Sequence, residues 1–288
     1  MAKSQSHTLG EFIGAFFEDL MKTPIREFAK QHNLYFDCIG DRRAREGKKV
    51  KWIDIHGSSH DLDFVIEKGG TDDVIGEPVA FIELAWRRYT RHSKNKVQEI
   101  AGAINPICAK YRLISPFKGV ILCGQFTANS IEQLKSDNFH VLYIPFEKLV
   151  HAFSVNGLDI NFDEDTKEAD LRRKYVAVSK RNNVHTLENV RRDILKLCEP
   201  EITQFIKELS IAYNRSITKI CILPLHGCRS EFPNVEQAIS FINNYQEIPK
   251  EHKLEYIEII VTYNNGSIIQ CHFTEKEEAI DFLKRYHN

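Results

Sequence analysis

The sequence predicts an α/β fold: a mixed sheet flanked by helices in the order αβββαβ, followed by a smaller α+β domain. Three observations predict it. In the first half, short β-rich runs alternate with stretches whose apolar residues recur at helical spacing. Within that half Gly119–Cys123 is an uninterrupted apolar run, the pattern of a strand buried on both faces. Near the end, Asn264, Asn265 and Gly266 stand between two β-rich runs, a hairpin signal.

Taken in order, Leu9–Ala29 places Phe12, Ile13, Phe16, Phe17, Leu20 and Met21 on one helical face, with a break expected near Pro24. Three strands are expected at Val50–Ile55, Leu62–Ile66 and Val79–Leu84, then a helix over Ser93–Tyr111. Gly119–Cys123, a brief helix at Ser130–Leu134 and a strand at Val141–Ile144 close the unit. The stretch Asp159–Asp170 is acidic and poor in large apolar residues. The domain boundary is therefore expected there, giving domains 1–158 and 159–288. Beyond it, Thr186 caps a helix to Leu197, and Pro200 suits the first turn of another ending near Tyr213. A weak repeat follows: Phe232, Glu236, Ala238, Ile239, Phe241 and Tyr245 recur as Phe273, Glu277, Ala279, Ile280, Phe282 and Tyr286. With strands at Ile220–Leu223, Tyr256–Thr262 and Ser267–Phe273, the expected order of this domain is β-α-β-β-α.

Composition excludes several classes. No apolar run approaches the roughly 20 residues of a membrane helix, and the first residues lack the apolar stretch of a signal peptide. The seven cysteines are scattered singly, as expected of reduced thiols in a cytoplasmic protein. There is no phosphate-binding P-loop, no GxGxxG and no HExxH. Net charge is only −1, but cations cluster locally. Arg42, Arg43, Arg45, Lys48, Lys49 and Lys51 form one group, and Arg87, Arg88, Arg91, Lys94 and Lys96 a second. Arg172, Arg173, Lys174, Lys180 and Arg181 form a third. Such groups make phosphate-tracking surfaces or solvated faces.

The chemistry concentrates in carboxylates that interrupt apolar strands. Asp61 and Asp63, in HDLDFVIEK, are two apart and so project to one face of an extended strand. Glu83 follows a buried-strand run in PVAFIELAW and is expected at its end, where a carboxylate meets solvent. If the two strands are neighbours, Asp63 and Glu83 converge. Carboxylates that close repel one another unless a cation neutralises them, and hard oxygen ligands suit magnesium or manganese. His56 and His60 flank Gly57-Ser58-Ser59 and read as polar loop residues beside this strand.

Helix, three strands with an acid on the second and a glutamate on the third, then helix and strand, resembles the PD-(D/E)XK, or restriction-endonuclease-like, superfamily. The resemblance covers about the first half of the chain. It implies that Asp63 is the motif aspartate and Glu83 the motif glutamate, with Asp61 as the rival for the first role. It implies a metal (Mg2+ or Mn2+) held by Asp63, Glu83 and the Leu84 carbonyl. The lysine expected two residues after the glutamate is Ala85 here. The candidates to supply its amine are Lys96, the preferred one, Lys94, and Arg87, which shares strand parity with Glu83.

The function implied is hydrolysis of DNA phosphodiesters by a type II restriction endonuclease acting on double-stranded DNA as a homodimer. A separate DNA methyltransferase is its expected companion, and the second domain is expected to serve DNA recognition or dimerisation. Ala85 keeps a second expectation open, a catalytically inactive DNA-binding module on the same fold. A repair or RNA nuclease is a third.

Overall fold

The computed structural model describes residues 4–180, 184–225, 227–246 and 255–286, the side chain of His92 excepted. The chain forms two compact units, residues 1–210 and 211–288.

The first unit is a mixed sheet covered by helices on both faces. Its strands, ordered β1-β4-β5-β6-β7, are Tyr35–Cys38, Phe64–Lys68, Glu77–Arg87, Phe117–Gly124 and His140–Pro145. The pairs β1–β4 and β4–β5 are antiparallel, whereas β5–β6 and β6–β7 are parallel. A separate hairpin, β2 (Val50–Ile53) and β3 (Ser59–Leu62), precedes β4. The second strand, expected over Leu62–Ile66 with Asp61 and Asp63 on one extended run, is divided by a bend at Asp63 into the end of β3 and the start of β4.

Helix α1 (Gln5–Gln31) begins at Ser4, whose hydroxyl accepts from the His7 N–H at 3.3 Å. It runs unbroken through Pro24, contrary to the expected break. The imino ring removes one helical bond, at roughly 3 kcal/mol or more. Leu20 and Met21 before it and Ile25 and Phe28 after it are all buried, and that apolar stripe holds the two halves in line.

On one face of the sheet, α1 packs against Trp86 of β5, and α4 (Phe146–Val155) joins it through Phe16–Phe153 and Trp86–Phe146 ring contacts at 5.2 and 5.4 Å. Helix α7 (Glu199–Tyr213) reaches this face through Phe205. Gly119 makes room for it: a Cβ there would lie 2.9 Å from Ile82, Phe117 and Phe205. On the other face α2 (Ser93–Lys110) and α3 (Ala128–Ser136) cover Val65, Phe81, Ala85, Val120 and Leu122 with Val97, Ile100, Ile104 and Leu134.

The expected boundary at 158/159 is corrected. Ile160 and Phe162 are buried, with Phe162 beside Phe146 and Tyr89. The acidic segment is therefore pinned to the first unit. Helix α5 (Glu168–Ser179), which the composition hid, packs along α1, and α6 (Val184–Leu197) packs on α4. The division falls instead in the last turn of α7.

The second unit is an antiparallel sheet in the order β11-β10-β8-β9, made of Ile268–Phe273, Ile257–Tyr263, Ile217–Pro224 and Ser230–Phe232. Helices α8 (Val235–Asn244) and α9 (Lys276–Lys284) cover one face. Its order is β-β-α-β-β-α, not the expected β-α-β-β-α, because three-residue β9 carries too little pattern to be read. The repeat is spatial. Phe232 meets Phe241 at 5.1 Å and 42°, and Phe273 meets Phe282 at 5.1 Å and 38°. Ala238 and Ala279 are both fully buried.

Among the described residues no helix is long and apolar enough to cross a membrane. All seven cysteines are free thiols.

Candidate active site

The ladder between β4 and β5 ends at Phe64 opposite Ile82. One step farther the register sets Asp63 opposite Glu83. There the chain bends away into β3, and side chains replace the missing backbone bonds. The Asp63 N–H donates to Glu83 Oε1 at 3.3 Å, and the Leu84 N–H donates to Asp63 Oδ2 at 2.7 Å. A residue's N–H and C=O leave a strand on the same side, so the Leu84 carbonyl faces this gap too. Contrary to expectation Glu83 does not end its strand, which continues to Arg87. The strand that ends is its neighbour, and that ending opens the site.

Glu83 is only 8% exposed. Burial, and then the charge of Asp63, raise its carboxyl far above the ordinary range, against the opposing pull of Lys96. Burial raises Asp63 as well, opposed by the Leu84 N–H and by Lys96. Each carboxyl is thus held by a backbone N–H of the opposite strand segment.

Lys96 lies in the first turns of α2 and is mostly covered, its side chain 15% exposed. Its charge acts on both carboxyls, while its ammonium pairs with Glu99 at 2.7 Å. Lys94 is exposed. Arg87 is on the face of Glu83 but about 13 Å farther along the strand, donating to the Trp86 carbonyl at 2.8 Å. Ala85 is buried among Phe81, Val97 and Ile100, so the motif lysine's position belongs to the apolar core.

Asp61 does not join the pair. The bend at Asp63 breaks the expected two-residue periodicity, and Asp61 sits on β3 in an exposed ion pair with Lys49 at 2.5 Å. His60 pairs with Asp54 at 2.8 Å. Asp54 also accepts the His56 and Ser58 N–H groups, so one carboxylate ties the turn holding His56 to His60, which lies on β3 and not in the expected loop. Those bonds, the His60 one foremost, hold Asp54 below the usual carboxylate range.

One neighbour escaped the sequence reading. Glu18 of α1 is raised by burial and next by the charge of Asp63, and it lies 3.7 Å from Lys22. Its only sequence signal is an acid beside the apolar stripe of α1, which does not point to a strand so far along the chain.

In the first basic group two of the six cations are taken up inside the fold, while Arg43, Lys48, Lys49 and Lys51 stay exposed. Arg42 is buried, bound to both Glu67 oxygens at 2.6 and 2.9 Å and to Asp37 at 2.8 Å. Arg45 is almost fully covered and donates twice to Asp37 at 3.2 Å. In the second group Arg88 lies over Phe146 and donates to the Phe162 carbonyl, and Arg91 pairs with Glu164. In the third, Arg181 lies outside the described residues.

Among the described residues no three His, Cys, Asp or Glu side chains form a closed metal cage. Magnesium commonly takes one or two carboxylates and keeps several waters, so Asp63, Glu83 and the Leu84 carbonyl suit it. Burial, and for Glu83 also the charge of Asp63, raises these carboxyls, and a divalent ion would offset that cost. Compared with family models, with curated proteins and with solved structures, the chain finds no match.

Proposed function

We propose that this chain is a metal-dependent endodeoxyribonuclease of the PD-(D/E)XK type, cutting DNA as a type II restriction enzyme does. The observation that supports this most is the cross-strand pair Asp63–Glu83 where β4 parts from β5, with Lys96 acting on both. The surrounding order supports the same reading: α1 on one face, antiparallel β4–β5, then parallel β5, β6 and β7 with α2 between β5 and β6.

Magnesium or manganese bound at this site supplies Lewis acidity toward water and phosphate and offsets the charge of the diester. Asp63, Glu83 and the Leu84 carbonyl would hold it. The Leu84 N–H fixes the Asp63 carboxylate, and the Asp63 N–H fixes Glu83, so neither ligand has to search for its orientation. Lys96 places an ammonium toward the charge that grows on the phosphate during attack.

Two observations favour a second reading, the inactive DNA-binding module: Ala85 is sealed in the core, and Lys96 is already paired with Glu99. Supercoiled plasmid incubated with and without Mg2+ decides between them. Nicked and linear products that need both Mg2+ and Glu83 support the nuclease, and intact plasmid at saturating protein sinks it.

The working form in this reading is a two-fold homodimer, since a double-strand cut at a palindromic site takes two centres. The second unit contributes recognition or dimerisation, and a separate methyltransferase protects the host DNA. Sedimentation with and without a cognate duplex tests the dimer, which a monomer mass in both conditions overturns.

A further inference from the structure

Helix α5 buries Leu171 and Val178, and its Tyr175 meets Phe12 of α1 at 6.5 Å. The opposite face is open. There Ala169, Arg172, Arg173, Val176, Ala177 and Lys180 line a shallow depression of about 380 Å3. Arg172 and Lys180 are two helical turns apart, about 12 Å, and among the described residues neither pairs with a carboxylate. Arg173 shares an exposed ion pair with Asp170 at 3.2 Å. Between the cations stand only short side chains. A rod-shaped polyanion can approach such a face closely, whereas a protein partner usually needs a large aromatic or aliphatic anchor. Val176, 45% exposed, is the largest apolar group on offer.

The stripe also has a direction. The Gln5 N–H donates to Glu168 at 3.0 Å, and Phe12 meets Tyr175 one step further on, so α5 and α1 run in parallel. Continued at the same offset, the last turn of α5 comes level with the middle of α1, the turn that carries Phe16 and Phe17.

We infer that the outer face of α5 is a backbone track for duplex DNA, with Arg172, Arg173 and Lys180 contacting phosphates to one side of the bond that meets Asp63 and Glu83. This inference rests on the nuclease reading and names the surface by which that site receives its substrate. Phosphate contacts of this kind supply affinity without reading sequence.

The test uses the full-length chain carrying Glu83→Ala, so that binding is seen without cutting, and a fluorescent duplex read by anisotropy across a salt series. Adding R172E, R173E and K180E should weaken binding at least tenfold. It should also flatten the slope of log K against log salt by about 2 to 3, since each phosphate left without its cation removes about 0.9. With Glu83 intact, the same triple change should slow plasmid cleavage but not Mg2+-dependent hydrolysis of thymidine 5′-(p-nitrophenyl phosphate), which is too short to span the track. Should the reversal fail to fold, R172Q, R173Q and K180Q made singly should each lower the slope by about 1. Unchanged affinity and slope in a folded variant overturn the track while plasmid cutting keeps the nuclease. A wild-type chain that binds duplex with the expected α5 dependence but never cuts overturns the nuclease alone. No duplex binding by wild type overturns the track.

Discussion

Strand β4 has an acid close to each end, Glu67 near one and Asp63 just before the other, and their surroundings differ in kind. Glu67 is fully buried, yet it takes a two-pronged bond from Arg42 and the Gly76 N–H at 2.6 Å. Arg42 and Arg45 saturate the neighbouring Asp37. Around Asp63 and Glu83 no arginine converges among the described residues. Two backbone N–H groups and a lysine at a remove leave both carboxyls raised. Buried charge is tolerated where it is paired and hydrogen-bonded. The chain shows it can build such a shell, and the thinner one at Asp63–Glu83 is what the proposed metal site would require.

The contrast can be broken from the catalytic side first. Asp63→Ala or Glu83→Ala should lower Mg2+-dependent plasmid cleavage at least a thousandfold, about 4 kcal/mol, with duplex binding kept within about tenfold. Near-normal cleavage by either variant would falsify the site. On the structural side, Arg42→Ala should destabilise the fold by about 3–5 kcal/mol, because Glu67 and Asp37 stay buried without their partner. Urea denaturation reads this, and a shift under about 1 kcal/mol would mean the cluster tolerates an uncompensated charge. Lys96→Ala should slow cleavage by about a hundredfold and leave binding nearly unchanged, with Lys94→Ala much milder. Equal, small effects would leave the amine unassigned.

A subtler change sharpens the comparison. The folded-state pKa of Glu83 is raised above its unfolded value, so the stability linked to its proton is fully present below about pH 4.3. That stability is lost as pH rises through the folded value. Glu83→Gln should therefore raise metal-free stability at neutral pH by about 1–2 kcal/mol and flatten its dependence on pH. Mg2+ should stabilise wild type but not the variant, and thermal melts at acid and neutral pH that superimpose for the two proteins would contradict the raised carboxyl. Asp61→Ala should do least. An exposed ion pair contributes about 0–1 kcal/mol, and plasmid cutting should stay within about twofold; a dead enzyme would restore Asp61 as the ligand.

Much of this was legible in residue order. Asp63 and Glu83 stand out because acids interrupt apolar strands, α2 announces itself by periodicity, and Pro200 marks the first turn of α7. Helix α6 is legible as well, but it starts at Val184, so Thr186 lies inside it and does not cap it. Periodicity could not show that the chain turns at Asp63, and the extended pattern on either side put Asp61 on the wrong face. Charge runs cannot tell a solvated arginine from one folded onto an acid, as Arg42 and Arg45 show. Helix α5 buries so few apolar residues that its sequence looks like a linker, and the boundary was misplaced with it. Glu18 is brought to Asp63 only by tertiary packing, which no local pattern encodes.

Because β8 and β10 pair at the centre of the second sheet, each ββα half covers the other's bare strand edge. Separated, a half would keep its hairpin and helix but expose that edge along its whole length, and exposed edges recruit strands. The best-matched recruit is an identical half, since the two already meet antiparallel about a near two-fold relation. Expressed alone, residues 255–286 should thus self-associate into a pair that rebuilds the four-stranded layer. In the intact chain that same self-complementarity is a route to strand exchange between molecules.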